Sequence, residues 1–222
     1  MPTIVFASPK GGCGKSTSAL VLGSELARNR AGVTIIDADP NRPVSRWAKR
    51  PGKPEGLAVI DDVIEETIID RSEEAARACA FVIVDLEGTA SMMVGYAVSR
   101  ADLVIIPTQG SQLDAAEAVK ALKLVRNMEK ARDGKPIPTA VLFTRTSAAI
   151  KPRTLASIEA EFRDGGVRVL DTHMRERDAF RAIFSFGGAL ADLDAGQVGN
   201  VKAAVANARA LAEEVVGILK AA

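Results

Sequence analysis

The sequence TIVFASPKGGCGKST at residues 3–17 places an apolar run directly before a glycine-rich loop and a helical pattern. Thr3–Ser8 have the length and the β-branched composition of a buried strand. Helical spacing begins after the loop, with Leu20, Leu26 and Ala27 on one side. The backbone N–H groups of such a loop, and the positive end of the following helix dipole, point to one small volume. The stretch therefore predicts a polyphosphate site between a strand and a helix.

Apolar runs of strand length recur along the rest of the chain, and segments of helical period separate them. They are Val33–Asp37, Phe81–Asp85, Leu103–Pro107, Thr139–Thr144 and Val167–Leu170. Their hydrophobicity is continuous rather than alternating, which indicates that helices cover both faces of the sheet. Long helical patterns occupy Asp114–Arg132 and Val198–Lys220. We therefore predict an α/β fold, a doubly wound and mostly parallel sheet with helices on both faces, in a single domain over residues 1–222.

The composition argues against several classes of function. The chain has 222 residues, 47% of them hydrophobic, and a net charge of +1, so its overall charge favours neither nucleic acid nor an anionic membrane. Its first residues lack the pattern of a signal peptide and no apolar run has the length of a membrane span, so we expect a cytoplasmic protein without a membrane partner. Cys13 and Cys79 lie outside any CxxC pattern and predict reduced thiols, and the single histidine, His173, is expected on the surface of a loop.

Side chains in the glycine-rich loop match the groups of a magnesium-bound nucleoside triphosphate. The residues that would bring backbone N–H groups to the phosphates are Gly11, Gly12, Cys13 and Gly14. Lys15 would reach the β- and γ-phosphates, the Ser16 hydroxyl would bind Mg²⁺, and Thr17 would lie beside the α- and β-phosphates. The pattern GxxxxGK[ST] is not strictly met, because Pro9 occupies its first position.

An additional lysine before the glycines changes the interpretation of this loop. Residues 10–17, KGGCGKST, resemble the deviant Walker A box of the ParA/MinD family of dimeric P-loop ATPases. Residues 35–41, IIDADPN, resemble the second box of that family, with asparagine where glutamine is usual at the last position. Phe81–Asp85 has the Walker B form, in which a strand delivers an acid to the carboxyl end of the sheet. Within the family, residues 37–47 and 174–180 look most like VirC-type proteins of T-DNA transfer and small plasmid-partition ATPases.

The resemblance implies a role for each charged side chain near the phosphates. Lys10 would reach across an ATP-dependent homodimer to the nucleotide of the partner, while Lys15 acts within its own loop. Asp39 would position the water that attacks the γ-phosphate. Ser16 and Asp85 would hold Mg²⁺ and its water shell. ATP and Mg²⁺ are thus the expected cofactors.

The resemblance also assigns the surroundings of the nucleotide. Asp85–Ala90 would form a switch loop that responds to the γ-phosphate, and Asp37 is expected to have a structural role. Arg145 and Met174 lie in the loops after late strands that contact adenine in the family. Because the chain begins at its first strand, we expect no N-terminal helix-turn-helix extension of the kind found in larger partition ATPases.

The function implied is that of a ParA-like ATPase with slow, partner-stimulated hydrolysis. Its ATP-bound dimer would bind DNA non-specifically, associate with the nucleoid and position or partition a cargo, such as a plasmid, a transferred DNA segment or a protein cluster. Two alternatives remain. One is a MinD-like membrane-cycling ATPase, although the last residues, 213–222, are acidic at their start and lack aromatic side chains. The other is an ATP-dependent small-molecule enzyme of the same superfamily.

Segregated charge indicates where DNA would bind despite the near-neutral total. Arg46, Lys49 and Arg50 belong to a basic segment without acids, and Lys151 and Arg153 form a second group after a strand end. The segment at residues 61–74 is strongly acidic instead. A dimer would double whichever basic group lies beside its interface, so that it could neutralise several phosphates at once. We expect these five basic residues to contact DNA.

Overall fold

Strands and helices alternate along most of the chain. The computed structural model describes residues 1–88 and 91–221. Its strands are β1 (Thr3–Phe6), β2 (Val33–Ala38), β3 (Leu57–Ile60), β4 (Phe81–Leu86), β5 (Leu103–Thr108), β6 (Thr139–Thr146), β7 (Arg168–Val169) and β8 (Met174–Arg175). Its helices are α1 (Lys15–Arg28), α2 (Pro43–Ala48), α3 (Ile68–Ala78), α4 (Met92–Ser99), α5 (Gln112–Ala131), α6 (Arg153–Asp164), α7 (Ala179–Phe186) and α8 (Val201–Ala221), with a 3₁₀ turn at Leu190–Asp192.

Strand β1 lies in the middle of the sheet. The strand order is β3-β2-β4-β1-β5-β6-β7, and β8 pairs with β6. Every pairing in the described part of the chain is parallel. The connections that leave β1 and β5 run toward opposite edges of the sheet, and ligands of open α/β sheets bind at the carboxyl ends of strands at such a point.

Two hydrophobic layers enclose the sheet. One contains side chains of α1, α2, α7 and α8, such as Leu20, Trp47 and Leu211. The other contains side chains of α3 to α6, such as Val98 and Ile158. Both faces of the sheet are therefore buried, which explains the continuous apolar runs and confirms the predicted doubly wound parallel fold.

Two short strands were missed in the sequence and a third is shorter than predicted. β3 lies at the edge of the sheet with only Leu57 fully buried, so it lacks a long apolar run. β8 and β7 have two residues each, and the predicted strand Val167–Leu170 shrinks to β7. Pairing with β6 creates both of these short strands, and hydrophobic periodicity does not detect pairings of that length.

Within residues 1–88 and 91–221, none of the helices combines the length and the apolar character needed to cross a bilayer.

Helix α1 packs closely on the centre of the sheet through a glycine. A Cβ atom added to Gly23 would lie 2.8 Å from Ile35 Cδ1 and 3.3 Å from Ile83 Cδ1. Such contacts are shorter than van der Waals packing allows, so Gly23 sets the distance between α1 and strands β2 and β4. Gly217 in α8, by contrast, has open space around the position of a Cβ atom.

Substituting these two glycines separates helix propensity from packing. Gly217→Ala should raise the free energy of unfolding by up to about 1 kcal/mol, the helix-propensity difference. Gly23→Ala gains the same propensity but overpacks the core, which typically costs about 1–3 kcal/mol, so it should stabilise less than Gly217→Ala or destabilise. Urea unfolding of both variants would measure the difference, and equal stabilisation would contradict the packing argument.

Candidate active site

The glycine-rich loop joins the central strand β1 to the amino end of α1. Gly12 and Gly14 adopt positive φ angles of 74° and 99°, which favour glycine. Gly14 is the residue that caps α1, and no side chain in the described part of the chain bonds to the first N–H groups of this helix. An α-helix leaves those N–H groups without intrahelical partners. They are therefore available to an anion at the centre of the sheet edge.

Side chains from β6 and the loop after β5 hold the glycine-rich loop in place. The Thr144 hydroxyl lies 2.7 Å from the Cys13 carbonyl oxygen and 3.2 Å from that of Thr108. Gln109 Nε2 donates to the Gly12 carbonyl oxygen at 3.3 Å. These hydrogen bonds tie the carbonyl groups of Gly12 and Cys13 to the loop after β5 and to β6. Sequence reasoning missed both anchors, because they become neighbours of the loop only through strand order.

Lys15 lies inside the loop. Its ammonium group is buried and donates to the carbonyl oxygens of Ser8, at 3.2 Å, and Lys10, at 3.1 Å. Neutral carbonyl groups leave most of its charge uncompensated, and a phosphate oxygen is a stronger partner. The contact of Lys15 with phosphate stays a prediction.

Lys10 points to a different partner from the one expected. Its ammonium group pairs with the carboxylate of Asp114 in the first turn of α5. Ser111, whose hydroxyl accepts a hydrogen bond from the Asp114 N–H at 3.2 Å, also donates to that carboxylate. Burial opposes ionisation of Asp114, but the hydrogen bonds from Lys10 and Ser111 outweigh it and lower its pKa. Within one chain, Lys10 therefore already has an anionic partner, and its contact with a second protomer stays a prediction.

The second motif places its two acids differently. Asp37 is buried, and its Oδ2 accepts a hydrogen bond from the Ser45 N–H at 2.7 Å, which ties β2 to the start of α2. Burial raises the pKa of Asp37, although that hydrogen bond opposes the shift. Asp39 is partly exposed and accepts from the Asn41 N–H at 2.7 Å. Asp37 therefore has a structural contact, as expected, while Asp39 faces the cleft.

Asp85 is a buried carboxylate whose oxygens lack a well-formed hydrogen bond in the described part of the chain, although the charge of Lys15 acts on it. It is fully inaccessible to solvent, and neither of its oxygens has a hydrogen bond of normal geometry to any residue in 1–88 or 91–221. Burial raises the pKa of Asp85 to about 7, the Ser16 hydroxyl lowers it, and the charges of Asp37 and Asp39 raise it further. Bringing a cation near would stabilise this cluster of acids.

Mg²⁺ fits this arrangement. Ser16 and Asp85 are oxygen donors on adjacent elements, and Mg²⁺ prefers a few protein oxygens completed by water and phosphate. Among the described residues, no group of three or more His, Cys, Asp or Glu side chains forms a ready-made metal site. A metal at this place would therefore depend on the nucleotide for most of its ligands.

A cleft of about 610 Å³ connects these residues. Its lining includes Gly11, Gly12, Gly14, Lys15, Ser16, Thr17, Asp39, Asn41, Gly88 and Arg145. A Cβ atom at Gly88 would lie 3.1 Å from the Gly11 nitrogen and 3.3 Å from Lys15 Nζ. Gly88 of the predicted switch loop therefore packs closely on the glycine-rich loop. Thr89 and Ala90 of that switch loop lie outside the described residues.

A second pocket adjoins the first beside α1. Arg145 and Met174, the predicted adenine contacts, both line it together with Thr17 and Phe180. Met174 is buried, and its sulfur accepts from the Ser18 hydroxyl at 3.0 Å. Arg145 lines both cavities and has a φ angle of 51°, which is uncommon for a residue with a side chain. The structure brings these two residues to one pocket, and their contact with adenine stays a prediction.

The five basic residues predicted to contact DNA do not form one patch. Arg46, Lys49 and Arg50 are exposed in and after α2, whose apolar side chains belong to the first hydrophobic layer. Lys151 and Arg153 precede or begin α6, which packs in the second layer. Each group is available at the surface, on opposite sides of the sheet.

The surface position expected for His173 is wrong. The side chain is 6% exposed and packs against Phe143, with ring centroids 5.3 Å apart. Its Nε2 lies 3.2 Å from Glu159 Oε1. The loop before β8 folds inward because β8 pairs with β6, a pairing that the sequence did not reveal.

Known proteins resemble this chain over most of its length. The chain matches the family model described as VirC1 protein over residues 1–221. Protein ParA of Rhizobium radiobacter is 44% identical over 212 residues, covering 96% of this chain and 95% of that protein. Protein virC1 of Rhizobium rhizogenes is 30% identical over 195 residues, covering 82% of this chain and 80% of that protein.

Solved structures share the fold at lower identity. An ATP complex of Cyanothece McdA superposes with a TM-score of 0.77 at 19% identity, covering 97% of this chain and 96% of that chain. The cell division protein MinD of Aquifex aeolicus gives a TM-score of 0.71 at 19% identity, with coverages of 96% and 98%. At this identity the likeness establishes the fold alone.

The buried acid predicts an unusual effect of pH on stability. Since folding raises the pKa of Asp85 from 3.8 to about 7, the folded protein loses stability as pH rises through that interval. Without divalent cations, Asp85→Asn should therefore raise the melting temperature at pH 8 and raise it less at pH 5. Each kcal/mol gained in the free energy of unfolding should raise it by roughly 2–4 °C. Calorimetry at both pH values measures this, and a lower melting temperature at pH 8 would disprove the assignment.

Proposed function

Because this chain belongs to the VirC1 family, we propose that it is a ParA-like ATPase that binds ATP and Mg²⁺ and uses hydrolysis to reset an ATP-dependent dimer. The single observation that carries nucleotide binding is the uncapped amino end of α1, with the Lys15 ammonium inside the same loop. Backbone N–H groups and a lysine aimed at one volume favour a polyphosphate over other anions. The single domain over residues 1–222 is part of this proposal.

The metal and the base complete the proposed substrate complex. Ser16 and Asp85 would hold the Mg²⁺ ion, which when bound neutralises charge that develops on the phosphates. Arg145 and Met174 line the pocket next to the phosphate cleft and would contact adenine. The remaining loop residues, Gly11 to Gly14 and Thr17, would donate backbone or hydroxyl hydrogen bonds.

A dimer is proposed from the surroundings of Lys10. In the monomer the side chain of this lysine is 41% exposed and pairs with Asp114. A phosphate of the nucleotide bound to a second protomer would replace that carboxylate. Leu113, next to Asp114, is 80% exposed and would be covered by the partner in such a dimer. Lys10 would then stabilise charge during hydrolysis in the partner, while Asp39 in the cleft positions the attacking water.

The biological role follows from the family and stays part of the proposal. The ATP dimer would bind DNA without sequence preference through Arg46, Lys49, Arg50, Lys151 and Arg153. A partner protein would stimulate hydrolysis and release the dimer, so that a cargo is positioned over the nucleoid in the cytoplasm. A membrane has no part in this cycle.

The two lysines of the loop should give separable phenotypes. Lys15→Ala should abolish ATP binding, because it removes the charge inside the loop, whereas Lys10→Ala should keep ATP binding and lose the dimer and turnover. Titration calorimetry and light scattering with ATP and Mg²⁺ measure the two properties. An ATP-induced dimer of the Lys10→Ala protein would refute the cross-interface role of Lys10.

Asp39→Ala serves as the control for that experiment. It should bind ATP and form a dimer that persists, because the water is no longer positioned. If this variant hydrolyses ATP at the parental rate, another residue positions the water.

Charge reversal tests both proposed DNA contacts. Lys151→Glu with Arg153→Glu, and separately reversal of Arg46, Lys49 and Arg50, should weaken retardation of DNA fragments in ATP. For each DNA phosphate that the variant no longer neutralises, the log–log salt slope should decrease in magnitude by about 0.9. Lys202→Glu with Lys220→Glu on α8 reverses two charges that belong to neither group and is the control. An unaltered salt slope in both test variants would contradict the assignment, and liposome binding with ATP would favour the membrane alternative.

A further inference from the structure

A buried carboxylate holds one of the proposed DNA contacts. Glu159 of α6 is 3% exposed, and its Oε2 lies 2.6 Å from Lys151 Nζ. Its Oε1 lies 3.2 Å from Nε2 of the buried His173, and Arg163 Nη1 lies 3.8 Å from Oε2. A cleft of about 380 Å³ opens above these side chains, and half of the Lys151 side chain is exposed in it.

Charged groups from each neighbouring element face His173. Glu159 and Arg163 come from α6, Lys151 from the loop after β6, and Arg175 from β8. Burial lowers the pKa of His173, Glu159 raises it, and the three cations lower it further, so the imidazole is neutral near pH 7. Its Nδ1 is buried and has no hydrogen-bond partner within the described ranges.

The backbone around His173 is fixed from the other side by α8. Glu214 accepts hydrogen bonds from the N–H groups of Asp171 and Thr172 at 2.7 and 2.8 Å. Asn207 donates to the His173 carbonyl oxygen at 2.8 Å and accepts from the Arg175 N–H at 3.0 Å. Asp171 also pairs with Arg163 at 2.9 Å, which limits how far that arginine can move toward Glu159.

We propose that Glu159 is a positioning residue that competes with DNA phosphate for Lys151. When a DNA phosphate replaces Glu159 as the partner of Lys151, the Glu159–His173 pair takes up a proton. This inference rests on the proposed DNA-binding function and concerns the Lys151 group alone.

The proton follows from the electrostatics of the cluster. When a DNA phosphate binds Lys151 in place of Glu159, the buried Glu159 carboxylate keeps the neutral His173 as a neighbour. Its remaining cation is Arg163, whose Nη1 lies 3.8 Å from Oε2. A buried carboxylate that loses its cation is strongly destabilised, and a proton on the pair restores the balance. Loss of the Lys151 charge also removes one of the groups that lower the pKa of His173. Because the proton is shared, it belongs to the pair rather than to one residue.

The experiment measures DNA binding of the full chain with ATP and Mg²⁺ between pH 6 and 8, by calorimetry in two buffers of different ionisation enthalpy. The parental protein should take up as much as one proton, and its affinity should fall by up to about tenfold per pH unit as pH rises. Glu159→Gln, which removes the competitor, should bind DNA about fivefold more tightly at pH 8 and without proton uptake.

Two controls make the result specific. Glu161→Gln removes the same charge from an exposed position of α6 and should behave as the parental protein does. Lys151→Gln should bind DNA more weakly and take up no proton, because it has no ion pair to exchange. The parental protein and these two control variants test proton uptake on DNA binding even if Glu159→Gln proves too unstable to purify.

Separate results identify which idea is wrong. DNA binding without proton uptake in the parental protein, or equal affinities for Glu159→Gln and Glu161→Gln, would overturn the role of Glu159 and leave the proposed DNA function intact. The absence of DNA binding in all four proteins would overturn both.

Discussion

The uncapped amino end of α1, set against the central strand of a parallel sheet, is the constraint on which the rest of the site depends. Gly12 and Gly14 provide the positive φ angles of the loop, and Thr144 and Gln109 donate hydrogen bonds to its carbonyl groups. Any side chain that capped the helix would occupy the anion position. The first N–H groups of α1 therefore lack acceptors within the helix, and a bound anion would provide them.

Charge around that position is unbalanced in a way that a metal-bound polyphosphate would correct. Lys15 is a buried cation with carbonyl partners, while Asp85 is a buried acid beside Asp37, its register neighbour on β2. Burial penalises both charges, and the attraction between Lys15 and Asp85 is the smallest of the effects on the pKa of Asp85. A phosphate beside the lysine and a divalent cation beside the acid would satisfy both. The site is thus built for its ligands at some cost to the stability of the free protein.

Two partly exposed lysines share one kind of partner. Lys10 pairs with Asp114, and Lys151 pairs with Glu159, so two lysines proposed to contact phosphate already have a buried carboxylate as partner. Phosphate binding at either position would therefore exchange one anion for another rather than capture a free lysine. Exchange of this kind keeps the affinity modest and lets a second event, such as dimerisation or proton uptake, decide the outcome.

The sequence alone determined the sheet class, the phosphate loop and the acids at strand ends, because each is a local pattern of apolar strand, glycine and charge. Strand order decided the rest. Asp114 lies 104 residues from Lys10, and Thr144 lies 131 residues from Cys13, so neither partner leaves a trace near the motif it supports. The burial of His173 likewise depends on the pairing of the two-residue strand β8 with β6, which is too short for a periodic signal. The residues of each motif are neighbours in the sequence, whereas the partners of each charged side chain come from distant segments that meet only in the folded protein.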